Sequence, residues 1–401
     1  MDKELIIRIL VLPTGGEFSP FSWVCQSACV LFGFFVRLSA GHLHGETNMS
    51  PTRTDLNREA GELRSKLLVA KREIDRVIVG MDSEKDSFLI SLIAGGHYII
   101  EGVPGLAKTK LMKAAARVCG LSFGRVQSNS GLTSDDVLGQ YLPTHGSEGR
   151  GGLEFFRGPI FKQIVLWDEA NRMLPKTQAA LLEGMEEFSV TTAYGEYFEL
   201  PNPFMVCATL NPREISSGTS PLTDANLDRF LLSQWVDYPL ERDEHEMVSQ
   251  DDAEPLVSGL EVKLGQQDIL QIRSLVKELF PMDHAARTVD FATKLARITR
   301  PHEDPSREIK TPGGESCRYG ELVLRGISPR ATKLLARAAR ADAFLRGEEL
   351  SPKHIGNVAI RVMRHRIVLS PMAEPEGVTA EYLIDYLLRY FVPVTGDPYH
   401  V

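Results

Sequence analysis

Three short apolar runs, each breaking off into a polar tip, constrain this chain more than any other feature: 97-HYIIEG-102, 164-IVLWDEANR-172 and 204-FMVCATLNP-212. Each is rich in β-branched or bulky residues and lacks the apolar–polar alternation of a strand with one wet face. Such runs suit strands buried on both faces of a parallel sheet. Two further strands are read at 123-FGRVQ-127 and 231-LLSQWVDYP-239. Helical segments lie between them. TKLMKAAARVCG closes on Gly120, a natural helix carboxyl cap. PKTQAALLEGMEEF opens on Pro175 and carries Leu181, Met185 and Phe188 along one face. Strands alternating with helices predict an α/β layered domain, a parallel sheet between helices, up to about residue 240.

Ahead of the first strand, residues 53–76 repeat Leu56, Leu63, Leu67 and Ile74 at helical spacing, and VIVGMDSEKDSFLISLIAGG reads as an apolar run, a turn and a second helix. Two insertions interrupt the alternation. One, 128–158, contains the glycine-rich loop THGSEGRGG; the other, SVTTAYGEYFELP, reads as a hairpin turning near Tyr194-Gly195. Beyond residue 240 the patterns are helical (QDILQIRSLVKELF, HAARTVDFATKLARIT, ISPRATKLLARAARADAFLRG, SPKHIGNVAIRVMRHRI, EYLIDYLLRYF), with 301–321 as a loop. The chain thus divides into a hydrophobic extension (1–48), an α/β core (49–240) and an all-helical domain (241–401).

Composition limits the chemistry. With 401 residues, 43% hydrophobic and 24% charged, the chain has ordinary globular values and enough length for two domains. A net charge of -8 provides no global basic field for nucleic acid, and only a local groove could bind it. Five cysteines (Cys25, Cys29, Cys119, Cys207, Cys317) include no C-x-x-C pair, which argues against disulfides and structural zinc and for a reducing compartment. His42 and His44, in GHLHGE, read as a solvated loop rather than a metal site. The uncharged run Phe21–Val36 is short of the roughly 20 residues that span a bilayer. Residues 1–48 read first as sequence upstream of the true start at Met49, second as a membrane anchor, and last as an export signal.

The polar tips fall where open α/β sheets bind ligands, at the carboxyl ends of the strands. After the first strand comes GVPGLAKTK, one residue from the phosphate-loop pattern G-x-x-x-x-G-K-[ST], with Ala107 in place of the last glycine. Alanine there is tolerable provided the position does not need a positive φ. Gly102, Val103, Pro104, Gly105, Leu106 and Ala107 form the turn, and Lys108, Thr109 and Lys110 the first helical residues. Backbone N–H groups there cradle phosphate oxygens, Lys108 reaches the outer phosphates, and the Thr109 hydroxyl ligates magnesium. Asp168 would hold the magnesium shell and Glu169 would act as general base toward the attacking water. Asn211 is placed to orient that water or sense the γ-phosphate. Arg229, in LTDANLDRFLL, reads as a cation supplied from a neighbouring subunit, an effect worth roughly 10³–10⁵ in rate, or else as an ion pair with Asp228. Arg330 follows Ser328 and Pro329, a cap and first-turn pair, on a helix whose apolar face is Leu334, Ala338, Ala341 and Leu345. Its side chain is read as free to reach the nucleotide, and Lys333, Arg337 and Arg340 as a solvated face.

GVPGLAKTK, GPIFKQIVLWDEANRMLPKTQAALLEGMEE, CATLNP, LDRFLL and GISPRA, in this order, closely resemble the MoxR family of AAA+ ATPases over residues 70–370. That family's loop typically carries alanine before Lys-Thr. The resemblance implies Walker A residues at Lys108 and Thr109, a Walker B pair at Asp168 and Glu169, sensor 1 at Asn211, an arginine finger at Arg229 and sensor 2 at Arg330. It makes 77-VIVG-80, hence Val79 and Gly80, the segment around adenine. ATP and Mg²⁺ are the implied cofactors, and a cytoplasmic hexameric ring with nucleotide between subunits is the implied assembly. The 128–158 insertion resembles the helix-2 insert and 189–200 the hairpin before sensor 1, both directed to the ring's pore. The implied role is chaperone-like remodelling of a partner complex, often beside a von Willebrand factor A (VWA) domain protein and sometimes in metal-cofactor insertion. Two segments depart from the family: SNSGLTSDDVLG, where an aromatic and proline-rich run is usual, and the linker PREISSGTSPLTDA. A nucleic-acid ring motor and a nucleotide-gated scaffold without hydrolysis are the alternatives; acidic charge weighs against the first, and Glu169 with Arg229 against the second.

Overall fold

The computed structural model describes residues 52–103, 105–144, 152–192, 194–211, 221–249 and 257–390. The extension 1–48 with its cysteines and histidines lies outside the described residues, as do Pro104, residues 145–151 of the glycine-rich loop and residues 212–220 of the departing linker.

Thr52 starts helix α1 (Arg53–Asp75) through a reciprocal cap: its hydroxyl accepts from the Asp55 N–H, and the Asp55 carboxylate accepts from the Thr52 N–H. The helix buries Leu63, Leu67, Ala70 and Ile74, the expected face, with Leu56 partly covered. Helix α2 (Asp82–Ala94) is buried on every side from Ser87 to Ile93, as an interior helix must be. Strand β1 (His97–Gly102) follows, then α3 (Lys108–Val118) and β2 (Phe123–Gln127). The first insertion contains more than a loop. A helical turn at Ser134–Leu138, capped by Thr133, leads into the antiparallel hairpin β3 (Gly139–Thr144) and β4 (Gly152–Arg157). Then come β5 (Ile164–Asp168), α4 (Pro175–Glu187), the hairpin β6 (Ser189–Thr191) and β7 (Tyr197–Glu199), β8 (Met205–Leu210) and β9 (Phe230–Val236).

The central sheet has five strands in the order β2-β5-β8-β1-β9, every neighbouring pair parallel. Successive side chains along a strand point to opposite faces, and the core divides accordingly. Tyr98, Ile100, Ile164, Leu166, Met205 and Cys207 join the cluster of α1, α2 and α3. Ile99, Val165, Trp167, Val206 and Ala208 join the cluster of α4. Both faces are dry, which is why these strands read as unbroken apolar runs. The two inserted hairpins share an aromatic seam: Phe155 stacks on Phe198 at 5.0 Å, and Tyr141 lies 4.5 Å from Tyr194. Leu142, Leu153, Phe156 and Tyr197 stay exposed beside it.

The carboxyl-terminal part is helical, as expected: α5 (Glu241–Ser249), α6 (Gln266–Leu279), α7 (Ala286–Ile298), α8 (Pro329–Arg346), α9 (Pro352–Met363) and α10 (Ala380–Tyr390). Inside the 301–321 segment read as a loop, β10 (Glu308–Lys310) pairs with β11 (Ser316–Arg318); outside it, β12 (Val323–Arg325) pairs with β13 (Val368–Leu369), so the part read as all-helical also carries two small antiparallel pairs. Strands this short carry no periodicity, so sequence reading passes over them. Ser328 caps α8 by accepting from the Ala331 N–H. Of its expected apolar face, Ala338, Ala341 and Leu345 are buried, but Leu334 is only partly covered and Leu335 fully so.

Candidate active site

β1 delivers the phosphate loop to the carboxyl end of the sheet. Gly102 is indispensable there: a Cβ on it would lie 2.3 Å from the Val236 carbonyl oxygen of β9. Gly105, at φ +88°, faces open space. Ala107 sits at φ 51°, ψ 17°, in the left-handed region. The proviso attached to this alanine is therefore not met, and it holds a conformation that disfavours a Cβ by about 1–2 kcal/mol. The gain is directional, because the chain enters α3 with no capping side chain and no acid in the first turn. A helix start with no side-chain cap and no acid of its own suits phosphate, through its backbone N–H groups and the positive end of its dipole. Lys108 Nζ donates to the Gly102 carbonyl at 2.6 Å. Val103 and Leu106 complete the described part of the loop, and Leu106 and Ala107 pack against the cluster that holds Ile78. Beside Val79, Gly80 (φ +65°) is approached by the Asp243 carboxylate of α5, 2.8 Å from where a Cβ would stand.

The two expected metal ligands meet. The Thr109 hydroxyl lies 3.4 Å from Asp168 Oδ2 at the end of β5. A hydroxyl and a buried carboxylate side by side match the hard oxygen donors magnesium takes. Two residues that sequence reading missed hold that carboxylate. The Thr209 hydroxyl donates to Asp168 Oδ1 at 2.6 Å and accepts from the Glu169 N–H at 2.8 Å, so one side chain fixes both acids. Arg125, on edge strand β2, donates to Asp168 Oδ2 from Nε at 3.1 Å and from Nη2 at 2.6 Å. Its guanidinium thus holds the oxygen a cation would take. Glu169 itself is left-handed (φ 54°, ψ 50°), a strained geometry of the kind found at functional sites, and pairs with Arg172 at 3.0 Å. Trp167, one residue earlier, is fully buried and donates its indole N–H to Ser128 Oγ at 3.0 Å. Asn211 follows β8, and its carbonyl accepts from Asn171 Nδ2 at 3.4 Å.

The two arginines are elsewhere. β1 and β9 run parallel with His97 opposite Phe230 and Gly102 opposite Val236. Arg229 therefore lies at the amino end of the sheet, roughly 17 Å from the loop at about 3.3 Å per residue. It does not pair with Asp228. Instead its Nε donates to Glu186 Oε2 at 2.9 Å and its Nη1 to Asn226 at 2.8 Å, because Arg366 occupies the Asp228 carboxylate. Arg330 is not free either: its Nη1 reaches Glu186 Oε1 at 3.2 Å. The hydrogen bond from Arg229, with help from Arg330, holds the Glu186 carboxyl below its ordinary range. Lys333 is exposed as expected, but Arg337 is half-buried, donating to the Ala94 and Gly95 carbonyls at the end of α2. A helix terminus there takes the charge that solvent was expected to take. Among the described residues no helix is long and apolar enough to cross a membrane.

Comparison with known proteins follows this division. Residues 97–232 match the "ATPase family associated with various cellular activities (AAA)", and residues 320–385 match an AAA lid domain. The chain is 34% identical to "Chaperone MoxR1" of Mycobacterium tuberculosis over 79% of either chain. It is 30% identical to "Protein MoxR" of Paracoccus denitrificans, over 76% of this chain and 89% of that one. A crystal structure of a Cytophaga hutchinsonii protein assigned as an ATPase superposes with a TM-score of 0.72 at 31% identity, covering 84% of this chain and 97% of that one. Likeness of this extent, with the AAA match over the sheet and the lid match behind it, shows that the chain belongs to the MoxR family of AAA+ ATPases.

Proposed function

We propose that this chain hydrolyses ATP and uses the turnover, in chaperone-like fashion, to remodel or activate a partner complex in the cytoplasm. The observation that carries the reading is the knot at the carboxyl end of the sheet, where Thr209 fixes Asp168 and Glu169 beside Thr109. Lys108 and the uncapped start of α3 bind the phosphates, with Val79 and Gly80 against adenine. Thr109 and Asp168 hold Mg²⁺, which neutralises phosphate charge when bound, and Arg125 moves aside for it. Glu169 takes a proton from the attacking water and Asn211 orients that water. Arg229 and Arg330, on one carboxylate at the far end of the sheet, serve a neighbour's nucleotide, which supports a ring, by the family resemblance a hexamer. The aromatic seam of the inserted hairpins is the face offered to the client. A separate VWA-domain polypeptide is the partner the family suggests, with metal-cofactor insertion as one form of activation.

The test is steady-state ATP hydrolysis by the full chain with Mg²⁺. Glu169→Gln is expected to lower kcat by about 10²–10⁴-fold while ATP binding persists. Undiminished turnover in that variant would remove the general base from this reading.

A further inference from the structure

The turn 364–366, at the end of α9, sends its charged side chains into the core, and the established family assignment gives none of them a task. Arg366 is the more buried, with 3% of its side chain exposed. Its Nε donates to Asp228 Oδ1 at 2.6 Å, its Nη2 to the Asp228 carbonyl at 3.0 Å and to the Phe230 carbonyl, and its Nη1 to the Leu231 carbonyl at 3.4 Å and to the Val362 carbonyl. All but the last of these bonds fall on residues 228, 230 and 231. The guanidinium therefore grips the backbone on both sides of Arg229 and leaves only that side chain projecting. The second Asp228 oxygen accepts from Ser328, the cap of the helix that carries Arg330. Arg364, two residues away, is anchored at 2.6 Å to Glu101, the residue before Gly102 of the phosphate loop.

A buried charge bonded mainly to carbonyls is a poor way to add stability, since apolar residues of similar volume often serve as well. What a planar fork supplies is a fixed backbone geometry at one place. We propose that Arg366 is the positioning residue of the arginine finger: it holds residues 228–231 so that Arg229 projects at the angle a neighbouring subunit's nucleotide requires. Arg364 ties the same turn to the subunit's own nucleotide loop. The proposal rests on the reading of Arg229 as a finger acting in trans, and its test separates the two.

In the full chain, Arg366→Gln is expected to lower kcat by about 10–10²-fold, the scale of a small misplacement, with affinity for a non-hydrolysable ATP analogue within about threefold of the parent. The deciding measurement mixes subunits. Arg366→Gln subunits retain Glu169, and Glu169→Gln subunits retain a sound finger, so mixed assemblies hydrolyse ATP faster than the sum of the two variants measured alone. Arg229→Ala mixed with Glu169→Gln is the parallel arm. Recovery in both arms supports the proposal. Recovery with Arg229→Ala but not with Arg366→Gln overturns it, as does parental activity in Arg366→Gln. Recovery in neither arm removes the finger reading itself, and the proposal with it. Should Arg366→Gln not fold, Arg366→Lys, which keeps the charge but lacks the fork, carries the same arms.

Discussion

At the carboxyl end of the sheet, Ala107 and Glu169 hold left-handed backbone angles and helix α3 starts without a cap. At the amino end, Arg229 and Arg330 share Glu186, and Arg366 is bound to Asp228 and three carbonyls beyond its own helix's first turn of contacts. The first end combines strained backbone with a helix start that no side chain caps; the second binds its arginines to carboxylates and carbonyls. Catalytic groups gain most when their orientation is fixed in advance. On the function proposed above, strained backbone at one end and fixed cations at the other would be the two halves of a site completed when two copies meet.

Acid is the strongest way to test the rigid end. His97 accepts from the Val206 N–H at Nδ1 and therefore donates from Nε2 to the Met185 carbonyl, both at 3.0 Å, which makes it a neutral ring at the sheet's amino end. Burial pushes its pKa down to about 4, and burial with the neighbouring Arg366 charge holds His365 well below its usual value. An unfolded His97 takes its proton near pH 6.5, and the folded one only near 4. The stability it contributes is therefore complete above 6.5 and falls as pH drops towards 4, by about 3 kcal/mol. Denaturant melts across that range should show the slope, and His97→Gln should flatten it by one proton. An unchanged slope would mean that this end is wetter than described.

At the other end, Thr209→Val removes the hydroxyl that joins Asp168 to Glu169 while keeping its volume. We expect kcat to fall by about 10–10²-fold with KM for ATP within threefold, since the loop itself is untouched. A change in KM alone would place Thr209 with binding rather than with the acids. The smallest effect is Ala107→Gly. Relief of the left-handed strain, less the entropy glycine adds to the unfolded chain, should stabilise by about 0.5–1 kcal/mol and raise Tm by about 1–2 °C. A lower Tm would show that the loop is not strained at that residue.

The open end was the legible one. Runs ending in Glu101-Gly102, Asp168-Glu169 and Asn211 mark strand termini in a linear string, because a strand buried on both faces must stay apolar until it leaves the sheet. The Ser328 cap was equally plain. What stayed hidden depends on contacts between distant residues. Glu186 lies in a helical pattern with nothing to announce that Arg229 and Arg330 converge on it. Arg125 is an alternate residue on an edge strand, Thr209 resembles any strand threonine, and Arg337 looks solvated until α2 is placed beneath it. The left-handed angle at Ala107 belongs to the entry into α3, which the loop's own letters do not record.

The indole of Trp167 has a practical consequence. It is enclosed, hydrogen-bonded to Ser128 and joined by one peptide bond to Asp168, whereas Trp235, beside Arg364, is 41% exposed. The two rings should therefore emit at different wavelengths, the enclosed one to the blue. This places an intrinsic fluorophore one residue from the carboxylate proposed to hold Mg²⁺, where it would follow nucleotide arrival in real time without a dye.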